Sequence, residues 1–227
     1  MTMEEILEAR QERINALHKI QKERTALLVI DMQRGFLEPG AALEVPPGRE
    51  LIPCIRRLID CCRQVRVPVI FTEFVYSNAL PCLRGDPFGP EHLPAEQDKP
   101  TGFGHPSGNC LIGEQGVNSP DTVLELAPST DELVIRDHAY DKFYGTNLDY
   151  ALRSRDIRYL IITGIMADVC VNCTILSAST REYRVTAVTD AIATLWPNIL
   201  EACFDIWKRK FARLRTTEEM VSELEEG

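Results

Sequence analysis

Apolar runs alternate with amphipathic segments along most of the chain. Residues 25–30 (TALLVI) form a near-continuous apolar run, which is typical of a strand covered on both faces. Residues 48–66 instead carry apolar side chains at three- and four-residue steps, which predicts a helix. The same reasoning along the chain predicts strands at 25–30, 67–74, 132–136, 159–162, 183–189 and 211–215, and helices at 1–24, 48–66, 146–153, 168–182, 197–210 and 217–225.

Strands that alternate with helices favour a parallel sheet with helices on both faces. We therefore predict a three-layer α/β/α fold with a six-stranded parallel sheet in the Rossmann-like order 3-2-1-4-5-6. The length of 227 residues fits one large domain better than two small ones. The predicted division is an N-terminal helical extension at 1–24 and a single domain at 25–227.

The regular pattern breaks down between Tyr76 and Thr130, where Pro, Gly, Asn and Ser dominate. A connection this long inside a compact domain is typical of a binding loop or lid, and the alternative is a surface insertion. His92 and His105 fall in this stretch, where they either contact a substrate or are simply solvated.

Charge and composition narrow the class of partner. The formal net charge is −9 and no Lys/Arg-rich run stands out, which argues against a nucleic-acid or membrane surface. The N-terminal residues include early acidic side chains and no long apolar core, so they predict neither a signal peptide nor a membrane span. We expect a cytoplasmic protein whose partner is a small-molecule substrate.

Eight cysteines raise the question of disulfides or a metal site. Cys170 and Cys173 form the one C-x-x-C spacing, and no second cysteine or histidine pair complements it at zinc-finger distances. A thioredoxin-like redox pair is one alternative, and reduced thiols in a reducing compartment are the default. The four histidines are scattered, so we expect no bound metal and no cofactor.

Two residues at predicted strand ends carry the candidate chemistry. Asp31 follows the first strand, and Cys170 follows the fourth, after a predicted turn at Thr163 and Gly164. In the 3-2-1-4-5-6 order those strands are neighbours, so both side chains are expected to face one cleft. A helix N-terminus favours a thiolate, and a carboxylate can move the proton that amide hydrolysis requires. Taken singly, Cys170 could be a small buried apolar residue and Asp31 a turn cap.

Several sequence blocks resemble the isochorismatase-like cysteine hydrolases, a superfamily that includes nicotinamidases, N-carbamoylsarcosine amidase, ureidoacrylate and biuret hydrolases, and isochorismatases. The blocks are DMQ at 31–33, FYGTNL at 143–148 and, most specifically, GIMADVCV at 164–171 followed by Thr174. The similarity covers residues 25–217. It implies that Cys170 is the nucleophile and Asp31 the general acid/base.

The same resemblance implies further site residues. The Ile165–Met166 peptide would be cis, and the Met166 N–H would help to bind the oxyanion together with that of Cys170. Phe36 matches a pocket-lining aromatic residue. Gln33, Tyr140 and Phe143 complete the expected substrate-binding residues.

One position departs from the family pattern. Relatives place a lysine six residues before the phenylalanine of the FYGTNL block, and Asp137 occupies that position here. Arg136, through a one-residue bulge, or Lys142, by reaching back from the loop, could replace the missing cation. If neither does, three acidic groups would crowd together and suppress the thiolate.

The sequence therefore predicts a hydrolase of a C–N bond in a small amide, ureido or carbamoyl compound, acting through a thioester on Cys170. Two alternatives stay open: a catalytically silent binding or assembly protein of the same fold, favoured by Asp137, and an isochorismatase-type vinyl ether hydrolase. Relatives commonly form dimers or tetramers, so we expect a homodimer or homotetramer.

Overall fold

The central sheet has six parallel strands in the order β3-β2-β1-β4-β5-β6, which confirms the predicted topology. The computed structural model describes residues 2–77 and 109–226 of the chain. The strands are β1 (Thr25–Ile30), β2 (Val69–Phe74), β3 (Leu133–Asp137), β4 (Tyr159–Ile165), β5 (Arg184–Ala193) and β6 (Ala212–Arg215).

Helices cover both faces of this sheet. They are α1 (Met3–Leu17), α2 (Arg34–Leu37), α3 (Pro46–Glu50), α4 (Ile52–Gln64), α5 (Leu148–Arg153), α6 (Asn172–Thr180), α7 (Pro197–Lys210) and α8 (Thr217–Glu226). None of the helices in the described residues is long and apolar enough to cross a membrane.

The strand β1 contributes to two separate cores because successive side chains of a strand point to opposite faces. Leu27 and Val29 pack with α4 and α8 on one face, whereas Leu28 and Ile30 pack with α5, α6 and α7 on the other. All six residues of β1 are buried, as the apolar run predicted. Burial on both faces explains why this strand lies at the centre of the sheet.

The predicted turn at Thr163 and Gly164 is wrong, because β4 continues through both residues to Ile165. Gly164 has a φ of +115°, and a Cβ on it would lie 2.0 Å from the carbonyl oxygen of Ile30. The glycine therefore allows the backbones of β1 and β4 to lie in close contact, and it does not form a turn. The chain turns only after the Ile165–Met166 peptide, which is cis.

Other boundaries also differ from the prediction. The helix predicted at 1–24 ends at Leu17, and the strand predicted at 183–189 continues to Ala193. The predicted helix at 48–66 is two helices, α3 and α4, which meet at Leu51. Before it, in a stretch with no predicted helix, the short helix α2 begins at Arg34, directly after Gln33. Helical periodicity runs across a break when apolar residues face the same core on both sides, so the break was not visible in the pattern.

Candidate active site

Asp31 lies at the carboxyl end of β1, where its backbone takes a left-handed conformation with a φ of +53°. Its side chain is 1% exposed. Thr72, near the end of the neighbouring strand β2, donates a hydrogen bond of 2.7 Å from its Oγ1 to Asp31 Oδ1. The Asp31 N–H donates to the Thr72 carbonyl at 3.1 Å. Asp31 is therefore fixed by both its backbone and its side chain.

Cys170 lies in a single π-helical turn, Ala167–Val171, that leads from β4 into α6. Two contacts hold this turn: Thr194 Oγ1 donates a hydrogen bond to Asp168, and Trp207 Nε1 donates to Asn172 Oδ1 at 2.9 Å. The thiol is buried, and Cys170 lines the same cavity as Asp31. The structure thus brings together the two residues that the sequence predicted to share a cleft.

Lys142 brings a positive charge to the same point. Its side chain is completely buried, and its Nζ lies 3.0 Å from Asp31 Oδ2. The same Nζ donates to the Ala139 carbonyl at 3.0 Å and lies 5.2 Å from the centre of the Phe74 ring. A buried ammonium is stable only with partners of this kind, because the loss of hydration is otherwise too costly.

The segment that carries Lys142 is held against α6, the helix that follows Cys170. Thr174 Oγ1 accepts a hydrogen bond from the Lys142 N–H at 3.3 Å and donates to the Tyr140 carbonyl at 3.4 Å. Ser177 Oγ donates to Asp141 Oδ2 at 2.7 Å. Lys142 and Cys170 are therefore positioned by one helix, although they belong to distant parts of the chain.

Of the two cations considered as replacements for the missing lysine, only Lys142 reaches the site. Arg136 points to the other face of β3, where it pairs with Glu73 and Asp121 at 2.7 Å each. The suggestion that a bulge brings Arg136 to the site is therefore wrong. Adjacent strand residues alternate between faces, so Asp137, the next residue, points toward Lys142 and not Arg136.

The surroundings of Cys170 oppose ionisation of its thiol. Burial, followed by the negative charge of Asp31, raises the pKa of Cys170 well above its usual value, and Lys142 acts in the opposite direction. Burial and Asp31 therefore oppose the thiolate that the helix N-terminus was expected to favour. For Lys142, burial lowers the pKa, but the charges of Asp31 and its neighbours outweigh burial and raise it overall.

A small cavity of about 20 Å³ lies beside Asp31 and Cys170. The other residues that line it are all apolar: Phe36, Leu43, Val45, Ile165, Met166 and Val169. Phe36 thus lies where the resemblance placed it. The Met166 backbone, on the carboxyl side of the cis peptide, borders the same space.

Three expected substrate-binding residues occupy other positions. The Gln33 amide is fully buried and pairs with the backbone N–H and carbonyl of Phe74, each at 2.8 Å, so it joins β1 to β2. Phe143 stacks on Tyr183 in the second core, with ring centres 5.7 Å apart. Tyr140 stacks on Phe74 at 5.7 Å. None of the three is among the residues that line the described cavity.

The described residues contain no group of three or more His, Cys, Asp or Glu side chains that could hold a metal. Cys170 and the other six cysteines of the described ranges carry free thiols. His92 and His105, considered above as substrate contacts, lie outside the described residues, as does most of the predicted binding loop. The absence of a metal or cofactor therefore stays a prediction.

Three residues that support the site were not identified from the sequence. Thr72 and Phe74 lie at the end of β2, where the register of the sheet places them beside Asp31 and Lys142. Thr174 was noted only as part of a family block. Their position along the chain could have identified them. Polar or aromatic side chains at the carboxyl end of a central strand lie where parallel sheets bind ligands.

Known proteins share this fold and sequence pattern. A cysteine hydrolase from Pseudomonas syringae pv. phaseolicola superposes with a TM-score of 0.76 and 25% identity, covering 92% of this chain and 95% of that one. An N-carbamoylsarcosine amidase from Thermoplasma acidophilum superposes with a TM-score of 0.67 and 27% identity, covering 86% and 96%.

Relatives with similar sequences include amide hydrolases. A ureidoacrylate amidohydrolase of Stutzerimonas stutzeri is 27% identical over 80% of this chain and 75% of its own length. A probable inactive nicotinamidase of Arabidopsis thaliana is 28% identical over 77% and 83%. The model of the isochorismatase domain matches residues 25–219, which is most of the chain. This chain therefore belongs to the isochorismatase domain family of hydrolases.

Proposed function

We propose that this protein hydrolyses a C–N bond in a small amide, ureido or carbamoyl compound, with Cys170 as the nucleophile. The observation that carries the proposal is the position of Asp31, which lies 3.0 Å from the Lys142 ammonium and lines the same cavity as Cys170. A nucleophile, a proton acceptor and a fixed positive charge in one buried group are the parts that thioester catalysis requires.

In the first half of the reaction, Asp31 takes the proton of the Cys170 thiol as the sulfur attacks the substrate carbonyl carbon. The negative charge then develops on the carbonyl oxygen, which the backbone N–H groups of Met166 and Cys170 are proposed to bind. Asp31 next donates its proton to the leaving nitrogen. The C–N bond breaks, an amine or ammonia leaves, and the acyl group remains on the sulfur as a thioester.

In the second half, a water molecule attacks the thioester carbonyl and gives a proton to Asp31. The C–S bond breaks, the acid product leaves, and the proton on Asp31 returns to the sulfur. Lys142 supports both halves because its charge holds the Asp31 carboxylate in place and stabilises negative charge on the sulfur. The raised pKa of Cys170 fits this scheme, since the thiol needs to lose its proton only when a substrate is bound.

The cavity wall favours a small substrate with an uncharged group beside the scissile bond. Apart from Asp31 and Cys170, all the described lining residues are apolar. Lys142, which contacts Asp31 behind this wall, is already paired with that carboxylate. A substrate carboxylate against this wall would lose hydration without gaining a partner there, which is costly. We therefore propose a neutral, short aliphatic acyl or carbamoyl group at this position.

A silent binding or assembly protein is the second candidate, and Asp137 together with the relative named as a probable inactive nicotinamidase favours it. Its main support was the missing family lysine. The ion pair of Lys142 with Asp31 provides a cation at the site and so removes that support. The cytoplasmic location and the homodimer or homotetramer stay predictions.

Intact-protein mass spectrometry after mixing with a panel of small amides and ureas tests the proposed function. We expect an acyl adduct on Cys170, release of ammonia or amine, and loss of both in Cys170→Ala. Cys173→Ala is the matched control, because it alters a second, half-buried thiol three residues away and should keep the activity. A redox pair would instead need both thiols, and a panel without adduct or product would support the silent protein.

A further inference from the structure

Asp137 ends β3 beside the proposed catalytic group, and its carboxylate is only 8% exposed. Its Oδ1 accepts a hydrogen bond of 2.7 Å from the Ala139 N–H, which closes a tight turn of the kind that Asp and Asn form with the backbone two residues on. The same Oδ1 lies 3.6 Å from Lys142 Nζ. Oδ2 is buried and has no hydrogen-bond partner within the described residues.

Ala139 links Asp137 to Lys142 a second time. Its N–H is held by Asp137, and its carbonyl accepts the Lys142 ammonium at 3.0 Å. The turn that Asp137 closes therefore presents the oxygen that holds Lys142. Removing the Asp137 side chain would release both the direct contact and the turn, so the ammonium would depend more heavily on its 3.0 Å contact with Asp31.

We propose that Asp137 is a positioning residue for Lys142: the turn that it closes holds the ammonium beside Asp31, and its own negative charge adds to the groups that oppose a thiolate on Cys170. This inference rests on the proposed function, because it assigns a role within the same group. Under this proposal, Asp137 supports the active site and is not evidence that the protein has lost its activity.

The charged neighbours of Asp137 define the electrostatic effect. Lys142, from the following turn, and Asp31, from the end of β1, both act on its carboxylate. The charge of Asp137 in turn contributes to the raised pKa of Cys170, which lies in the turn after β4. On the opposite face of the sheet, Arg136 and Glu73 pair with each other. His138 is next in the chain, and its Nδ1 contacts the Val75 carbonyl.

Two consequences of opposite sign follow from this arrangement. The charge of Asp137 disfavours a thiolate on Cys170, because a second negative charge nearby costs energy in a buried site. Its hydrogen bond to Ala139 favours a thiolate indirectly, because it keeps the Lys142 ammonium in place. Asparagine at this position would keep the turn and remove the charge, whereas alanine would remove both.

Alkylation of Cys170 by iodoacetamide, followed by mass spectrometry of the Cys170 peptide between pH 5 and 10, separates these effects without needing a substrate. We expect Asp137→Asn to react faster than the wild type at a fixed pH near 7, by about tenfold for each unit by which the thiol pKa falls. Asp137→Ala should react more slowly than Asp137→Asn. Lys142→Met should react most slowly, since it lacks the cation altogether.

Hydrolysis of the best substrate in the panel gives the second readout. Asp137→Asn should keep turnover, and Asp137→Ala should lose it by roughly tenfold or more, so that asparagine rescues what alanine removes. Identical alkylation profiles for the asparagine and alanine variants would overturn the positioning role. An asparagine profile that coincides with the wild type would overturn the charge effect. If no substrate is cleaved, the proposed function fails, while the order of alkylation rates still decides the role of Asp137.

Discussion

Lys142 Nζ and Asp31 Oδ2 form a fully buried ion pair 3.0 Å long between the loop after β3 and the end of β1. Neither side chain has solvent to stabilise its charge, so each depends on the other and on the hydrogen bonds from Thr72 and to Ala139. Such a pair costs free energy to assemble and more to break. A protein retains it most readily where its charges do chemical work.

Replacing Lys142 by methionine should therefore damage both stability and activity. The substitution leaves the Asp31 carboxylate buried and unpaired, and we expect a loss of about 3–5 kcal/mol in the free energy of unfolding. Turnover should fall by about 100-fold or more, because the cation that supports the thiolate is gone. Urea unfolding and steady-state kinetics measure the two effects. Unchanged turnover in a folded Lys142→Met variant would remove Lys142 from the mechanism.

A lysine moved to the strand end tests whether the position of the charge matters. Asp137 and Lys142 lie 3.6 Å apart at their charged atoms, so a lysine at 137 can reach the same space. In a Lys142→Ala background, Asp137→Lys should restore part of the lost turnover. Asp137→Met in the same background is the control without charge and should restore none. Equal turnover in the two double variants would contradict the requirement for a cation here.

The sequence predicted the sheet order and the meeting of Asp31 with Cys170, because strand alternation and the rules for parallel sheets determine both. It did not decide between Arg136 and Lys142. That choice depends on the turn closed by Asp137 and on the docking of Lys142 against Thr174, which are tertiary contacts. It also did not indicate that burial raises the pKa of the Cys170 thiol, since burial is not visible in a local pattern.

Gly164 should not tolerate a side chain. A Cβ at this position would lie 2.0 Å from the Ile30 carbonyl oxygen, so Gly164→Ala forces β4 away from β1 and moves Cys170 away from Asp31. We expect a loss of about 3 kcal/mol or more in stability, together with loss of activity. Gly113→Ala is the matched control, because Gly113 also has a positive φ, of +91°, but has open space around it. Its cost should stay near 1 kcal/mol, as measured by thermal unfolding.

The stability of the protein should carry a pH dependence that comes from Asp137. Burial, only partly offset by Lys142, raises the pKa of Asp137 to about 6 from its usual value of 3.8. Because the folded state holds this proton more tightly than the unfolded chain, the stabilisation is complete below pH 3.8 and is lost as the pH rises through about 6. At about 1.4 kcal/mol per pKa unit, the change is a few kcal/mol.

Urea unfolding of the wild type and Asp137→Asn at several pH values between 4 and 8 isolates this contribution, since the other carboxylates are common to both proteins. The wild type should lose stability relative to Asp137→Asn as the pH rises across that range. A constant difference between the two proteins would show that Asp137 does not titrate there.

Substrate preference should follow the apolar wall of the cavity. Neutral amides with short aliphatic groups should be cleaved with a higher kcat/KM than N-carbamoyl amino acids of similar size, because a carboxylate finds no partner on the described wall. Leu43 lines that wall and is only half-buried, so Leu43→Arg can add a charge at modest structural cost. The variant should shift the preference toward the carboxylated compounds by about tenfold or more. Leu43→Met, which keeps the wall apolar, should leave the order of substrates unchanged. A wild-type preference for carboxylated substrates would mean that residues outside the described wall decide specificity.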